Sequence, residues 1–259
     1  MRQIGEHPHM RSLFWRAVAA LLLITGAAAA QGLRAAEANP AKLHFESAGA
    51  KIEADLYRPA GPAPHRTIIV MHGAGGALLD GPEMRRVARQ LAAAGDTVYF
   101  LHYFDRTGTI VSRDAVMQEH FDDWLDTVRD AISWVHTREG KKAQPLGLYG
   151  YSLGGFLAVA AASDNPDVGA IAEQAGGMWN SQEQRVGKMP PVLMVHGRAD
   201  QRVPFDQYAV PLLRVLRARG AKVETHFVDG EGHGFSQRAM AVVRAELVKY
   251  FARELRPSP

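Results

Sequence analysis

The sequence predicts an α/β fold: a three-layer sandwich with helices on both faces of a mostly parallel central sheet. Three observations carry this. Short apolar runs such as TIIVM, Thr67–Met71, alternate with longer segments of helical period. Several runs are continuously apolar rather than alternating, the pattern of strands buried on both faces. The intervening segments are long enough for the crossovers that join parallel strands.

The chain opens with an apolar stretch, Ala17–Ala30 (AVAALLLITGAAAA), preceded by Arg11 and Arg16 and ending in small residues. That pattern predicts an export signal over residues 1–30, cut after Ala30 or as late as Ala38, and a periplasmic or secreted protein. The stretch is shorter than the roughly 20 residues of a membrane span, so no stable membrane association is expected of the mature protein. Residues 39–259 then form one domain. At 259 residues and 47% hydrophobic, the chain has enough apolar material for one large core.

Leu43–Ser47 and Ile52–Tyr57 read as strands joined around Gly49, an antiparallel edge because no helix separates them. Thr67–Met71 is a buried strand, followed by a helix over Gly81–Ala94 with Pro82 at its start and Gly95 at its stop. Thr97–Leu101 is the next strand. Met117, Phe121, Trp124, Leu125, Val128, Ile132 and Val135 hold a helical period through Ser112–Thr137. Strand Pro145–Tyr151 leads into helix Leu153–Ala162. Strands at Val168–Glu173, Val192–Val195 and Val223–Val228 follow, with helices at Phe205–Arg219, where Pro211 intrudes, and Met240–Leu255.

Composition excludes several functions. Lys and Arg total 30 against 27 acids, a formal charge of +3, of which residues 1–30 hold +2. A body near +1 carries no basic footprint for nucleic acid. There is no cysteine, hence no disulfide. No H-E-x-x-H occurs, and His102, His136, His196 and His226 show no ligand spacing, so neither metal nor cofactor is expected.

The chemistry concentrates at LYGYSLGG. Gly150-Tyr151-Ser152-Leu153-Gly154 fits G-x-S-x-G between an expected strand and an expected helix. A sharp turn there strains the serine backbone, and side chains two residues away would collide, hence the glycines. The turn lifts the Ser152 hydroxyl from the sheet and sets the Leu153 N–H at a helix N-terminus, where it can meet an oxyanion.

Serine needs a base and an orienting acid to become a nucleophile. Asp200 follows strand Val192–Val195 and His233 follows Val223–Val228, in the order acid then histidine. Asp229 and Glu231 lie nearer His233 in sequence, but Asp200 has its own strand end. In MHGAGG, Met71–Gly76, the residue after His72-Gly73 is the expected second oxyanion donor, Ala74. No Lys-Ser/Thr follows these glycines, which argues against a phosphate loop. His72 supports the loop, and Asp105-Arg106 fixes another. Tyr103, Phe104, Met178 and Trp179 fall on loops at the expected site and are candidates to line a substrate pocket.

HGAGG, YFDRTGT, GYSLGG, HGRADQRVP and GEGHGF, in this order over about residues 42–255, resemble the dienelactone hydrolase branch of the α/β-hydrolase superfamily. The resemblance implies an α/β-hydrolase fold with Ser152, Asp200 and His233 as nucleophile, acid and base. The namesake enzymes of the family use a cysteine nucleophile, where this chain has Ser152. Serine with histidine points to ester or lactone hydrolysis, and an open site favours small or extended soluble substrates. Little chain lies between Glu173 and Val192 for a lid. A peptidase or amidase would use the same residues, and a binding protein would use the same fold. The sequence leaves the oligomeric state open.

Overall fold

The computed structural model describes residues 39–61, 66–140, 145–179, 183 and 186–255. The expected leader lies outside the described residues, as does part of the segment expected to lack a lid. β1 (Ala41–Ser47) and β2 (Ala50–Tyr57) form an antiparallel hairpin. Its turn places Ala48 at φ 42° and Gly49 at φ 83°, two successive left-handed residues that match the strand twist. The remaining strands are β3 (Thr67–Met71), β4 (Thr97–Leu101), β5 (Leu146–Tyr151), β6 (Val168–Gln174), β7 (Val192–Gly197) and β8 (Val223–Val228).

The sheet order is β1-β2-β4-β3-β5-β6-β7-β8. β2 meets β4 antiparallel, and from β4 to β8 every pairing is parallel. β3 and β4 are buried along their whole length, which is why they read as unbroken apolar runs. This is the α/β-hydrolase fold.

Helices cover both faces. α1 (Gly76–Leu79) is a single turn leading into α2 (Gly81–Ala93). α3 (Asp114–Glu139), α4 (Leu153–Ala162), α5 (Phe205–Ala218) and α6 (Gln237–Glu254) follow. α2 and α6 pack Met84, Val87, Val243 and Phe251 onto Ile68, Val70, Tyr149 and Val195. α3, α4 and α5 pack Trp124, Val128, Leu157 and Leu212 onto Ile69, Met71, Leu148 and Met194 on the other face. Each such buried side chain stabilises the fold by about 1.5–3 kcal/mol before entropy. Alternate residues of one strand thus serve opposite cores.

Element boundaries shift by a few residues from the sequence expectation; two of these shifts have a physical reason, and one expected helix break is absent. β7 runs on to Gly197, because His196 is buried despite its polarity. α6 begins at Gln237 rather than Met240: Ser236 caps it, accepting the Ala239 N–H at 3.2 Å, and the polar first turn carries no apolar period. Pro211 does not interrupt α5.

The topology positions the site. β3 and β5 are neighbours, yet the chain leaves β3 toward β4 on one side and β5 toward β6 on the other. Loops after β3 and β5 therefore diverge at a topological switch point, where open α/β sheets form their crevice.

Candidate active site

Ser152 stands between β5 and α4 at φ 53°, ψ −118°. Such a backbone costs a non-glycine residue about 1–3 kcal/mol and persists only where its surroundings enforce it. They do so here. Ser152 N–H donates to the Gln174 carbonyl at 2.8 Å, and the Ser152 carbonyl accepts from Gly155 N–H at 2.8 Å. A Cβ on Gly150 would run into the Gly154 carbonyl, and one on Gly154 would lie 2.5 Å from the His72 carbonyl oxygen. Both glycines are required by close backbone approach.

The loops after β7 and β8 bring Asp200 and His233 to this serine. His233 Nε2 is 2.9 Å from Ser152 Oγ, and His233 Nδ1 is 2.8 Å from Asp200 Oδ2. Asp200 is buried, and its Oδ1 accepts the N–H groups of Arg202 and Val203, both at 2.8 Å. A carboxylate can only accept, so Nδ1 carries the imidazole proton and Nε2 turns a lone pair toward the serine hydroxyl. Tyr151 further braces the histidine, its hydroxyl donating to the His233 carbonyl at 3.2 Å. His196 lies 3.4 Å from Asp200 Oδ2 but faces the Val203 carbonyl at 2.9 Å, and burial lowers its pKa. The rival acids are engaged elsewhere. Asp229 pairs with Arg198 at the surface, and Glu231 accepts the Ser236 N–H and hydroxyl ahead of α6.

The MHGAGG loop runs beside the serine. A Cβ on Gly73 would sit 2.9 Å from Ser152 Cβ. Ala74 and Leu153 line one cavity with Ser152, and neither N–H donates to another described backbone group. Two free donors beside one hydroxyl can stabilise charge on an oxygen held there. His72 is wholly buried; its Nδ1 is 2.8 Å from the Gly73 carbonyl oxygen, and burial pushes its pKa down to about 3. Asp80 accepts the Gly75 N–H at 3.0 Å, and burial raises its pKa.

The expected pocket residues divide. Trp179 lines the cavity with Ser152, stacked on Phe156 at 4.8 Å. Tyr103 and Phe104 do not line it. Tyr103 is fully buried, stacked on His72 at 4.2 Å, and its hydroxyl donates to the His72 carbonyl at 2.9 Å. Phe104 is wedged against Trp124 at 4.4 Å. Both brace the loop from below, because the turn after β4 folds inward and not over the cleft. Met178 is buried too and borders a separate depression between α3 and α4. Asp105 and Arg106 fix backbone: Asp105 accepts the Glu53 N–H and Arg106 donates to the Ser47 carbonyl.

A model of the dienelactone hydrolase family matches residues 52–252. The chain belongs to the dienelactone hydrolase family. Three solved structures of similar fold illustrate its neighbourhood. A dienelactone hydrolase from Klebsiella pneumoniae, described as putative, is 20% identical over 82% of this chain and 98% of its own, with TM-score 0.67. Esterase 2 from Thermogutta terrifontis is 19% identical over 85% and 97%, with TM-score 0.67. A dienelactone hydrolase-like promiscuous phosphotriesterase from metagenomic libraries is 14% identical over 83% and 98%, with TM-score 0.70.

In this dienelactone hydrolase family member, one cavity opens on Ser152 and a second lies behind its neighbour Tyr151, lined by neither Ser152 nor His233. One, of about 150 Å³, is bounded by Ala74, Ser152, Leu153, Phe156, Trp179 and Tyr208; Arg202 forks onto Asp114 at its rim. The other, of about 370 Å³, is bounded by Asp80, Tyr151, Gly234, Phe235, Met240 and Arg244. Tyr151 and Gly234 are the chain neighbours of Ser152 and His233. Tyr208, Arg202 and Asp80 come to the site only through the crossovers, and Phe156 from the first turn of α4, so no motif marks them. Glu173 left one trace, an acid inside the apolar run VGAIAEQ.

The structure also places His102 beside Glu53 and Asp55, with ligand atoms within 4.8 Å, a grouping that residue spacing cannot reveal. Lys42 and Arg85 ion-pair with the two carboxylates. Among the described residues, no helix is long and apolar enough to cross a membrane.

Proposed function

We propose that the chain is an exported serine hydrolase that cleaves carboxylic ester or lactone bonds of small soluble substrates. The observation that carries this is the pair of hydrogen bonds linking Ser152, His233 and Asp200 at a strained strand-to-helix turn. In this reading His233 Nε2 takes the hydroxyl proton as Ser152 Oγ attacks the carbonyl carbon. Asp200 fixes the imidazole tautomer and stabilises its cation. The N–H groups of Leu153 and Ala74 bind the oxyanion, each worth about 100–1,000-fold in turnover. The alkoxide leaves with the proton from His233, and water, deprotonated by the same nitrogen, clears the acyl group.

The smaller cavity borders both oxyanion donors and takes the acyl part. A space of about 150 Å³ suits a short acyl chain. That esterase 2 carries a tabun-derived group is in keeping with an activated serine on this fold.

The test is steady-state and burst kinetics on p-nitrophenyl acetate, butyrate and octanoate. The reading predicts a burst, preference for the short esters, and loss of both in Ser152→Ala. Equal rates for the wild type and Ser152→Ala would reject it.

A further inference from the structure

Glu173 is the last but one residue of β6, opposite Gly150 of β5. Its side chain is wholly buried on the face covered by α4. One oxygen, Oε2, accepts the Gly176 N–H at 3.0 Å; the other, Oε1, is buried with no hydrogen-bond partner. A Cβ on Gly155 would lie 3.5 Å from Oε2, and a Cβ on Gly176 would lie 2.9 Å from both Oε2 and the Gly155 Cα. Glycine at both positions lets the first turn of α4, the 175–179 segment and this carboxyl meet at one point.

Those elements carry the site. The first turn of α4 presents the Leu153 N–H, and the 175–179 segment ends in Trp179, a wall of the smaller cavity. We propose that Glu173, held as the neutral acid, is a positioning residue: its carboxyl fastens the oxyanion-binding end of α4 to the 175–179 segment, and its ionisation shuts turnover down. This rests on the ester-hydrolase reading.

The charge argument follows from the surroundings. α4 (LGGFLAVAAA) and the 175–179 segment (AGGMW) contain no titratable side chain. On the other neighbours the titratable groups are Tyr149 of β5, bonded to Gln174, and Tyr151 of β5, bonded to the His233 carbonyl; His196 of β7, held neutral by burial; and Asp206, Tyr208, Arg214 and Arg217 of α5. Among the described residues none of these forms an ion pair or hydrogen bond with Glu173, so no counter-charge is at hand. Burial raises its pKa to about 8. A carboxylate formed there stands under the helix end that must receive a second negative charge on the substrate oxygen, and like charges in a low dielectric repel strongly.

The experiment measures the second-order rate of fluorophosphonate labelling and kcat for p-nitrophenyl acetate from pH 6 to 10. It compares wild type, Glu173→Gln and Glu173→Ala. The wild type should lose both activities through a one-proton alkaline limb. Glu173→Gln, which keeps an acceptor for Gly176, should hold kcat within about threefold at pH 7 and lack that limb; Glu173→Ala should lose about tenfold or more at every pH. An alkaline limb identical in wild type and a folded Glu173→Gln overturns the proposal. Should Glu173→Gln not fold, infrared difference spectra of the wild type must show a protonated carboxyl lost in step with labelling; its absence overturns the proposal equally. A wild type that labels at no pH rejects the hydrolase reading itself, a separate outcome.

Discussion

Asp200→Asn separates orientation of the histidine from its mere presence. Asp200 accepts three hydrogen bonds in the structure: two from backbone N–H groups on Oδ1 and one from His233 Nδ1 on Oδ2. An amide has one acceptor oxygen. If its nitrogen takes the Oδ1 position, two partly or fully buried N–H groups lose their acceptor and face a third donor, at about 1–3 kcal/mol for each orphaned group. If it takes the Oδ2 position, both backbone bonds survive and the amide donates to His233 Nδ1. The second arrangement is favoured by several kcal/mol on that count. It forces the proton onto Nε2, which then points N–H at Ser152 Oγ and cannot act as base. The analogous Asp→Asn change in a chymotrypsin-fold protease lowers turnover about 10⁴-fold for this reason. The expectation for Asp200→Asn is therefore a drop in kcat of about 10³–10⁴-fold with little change in KM and a Tm within a few degrees of wild type. Kinetics on p-nitrophenyl acetate, with thermal melts on the same samples, read both quantities. A folded Asp200→Asn retaining more than a tenth of wild-type kcat would refute the reasoning.

Further outcomes follow from single contacts. Tyr103→Phe removes the donor to the His72 carbonyl and should cost about 1 kcal/mol in denaturant unfolding, with a several-fold lower kcat from a looser Ala74 loop. Trp179→Ala should enlarge the smaller cavity, so the octanoate-to-acetate ratio of kcat/KM rises about tenfold or more; an unchanged ratio would place the acyl chain elsewhere. Glu173 also sets a stability profile. Its folded pKa, about 8, lies above the ordinary 4.5, so its contribution is fully present below pH 4.5 and is lost as pH rises to about 8. The slope is about 1.4 kcal/mol per pH unit at most. Urea unfolding of the wild type should show that decline between pH 5 and 8, and Glu173→Gln should lack it.

Much of this molecule could be read from its sequence, and the reasons are physical. Strands buried on both faces, such as Thr67–Met71, announce themselves as unbroken apolar runs. The serine turn is legible because its strain excludes side chains at Gly150 and Gly154. Asp200 and His233 stand at strand ends, where chain order alone suggests partners. The aromatic residues after β4 were harder. Tyr103 and Phe104 follow a strand that ends near the site, yet their turn folds inward, and nothing local distinguishes a bracing aromatic from a lining one. Phe156 lies one helical turn beyond Ser152, whereas Arg202 and Tyr208 reach the cleft from the stretch after β7, so only the crossovers bring that pair to the serine. Glu173 is the instructive case: it closes the expected strand Val168–Glu173, and only the sheet order, which places β6 between β5 and β7, shows that this acid is buried.

The central claim is that Ser152 is an activated nucleophile. It is tested most directly by the intact mass of the purified protein after exposure to a fluorophosphonate, beside Ser152→Ala treated alike. The account predicts one phosphonyl adduct on the wild type and none on Ser152→Ala. A folded wild type that stays unmodified, or a Ser152→Ala that takes the same adduct, would contradict it.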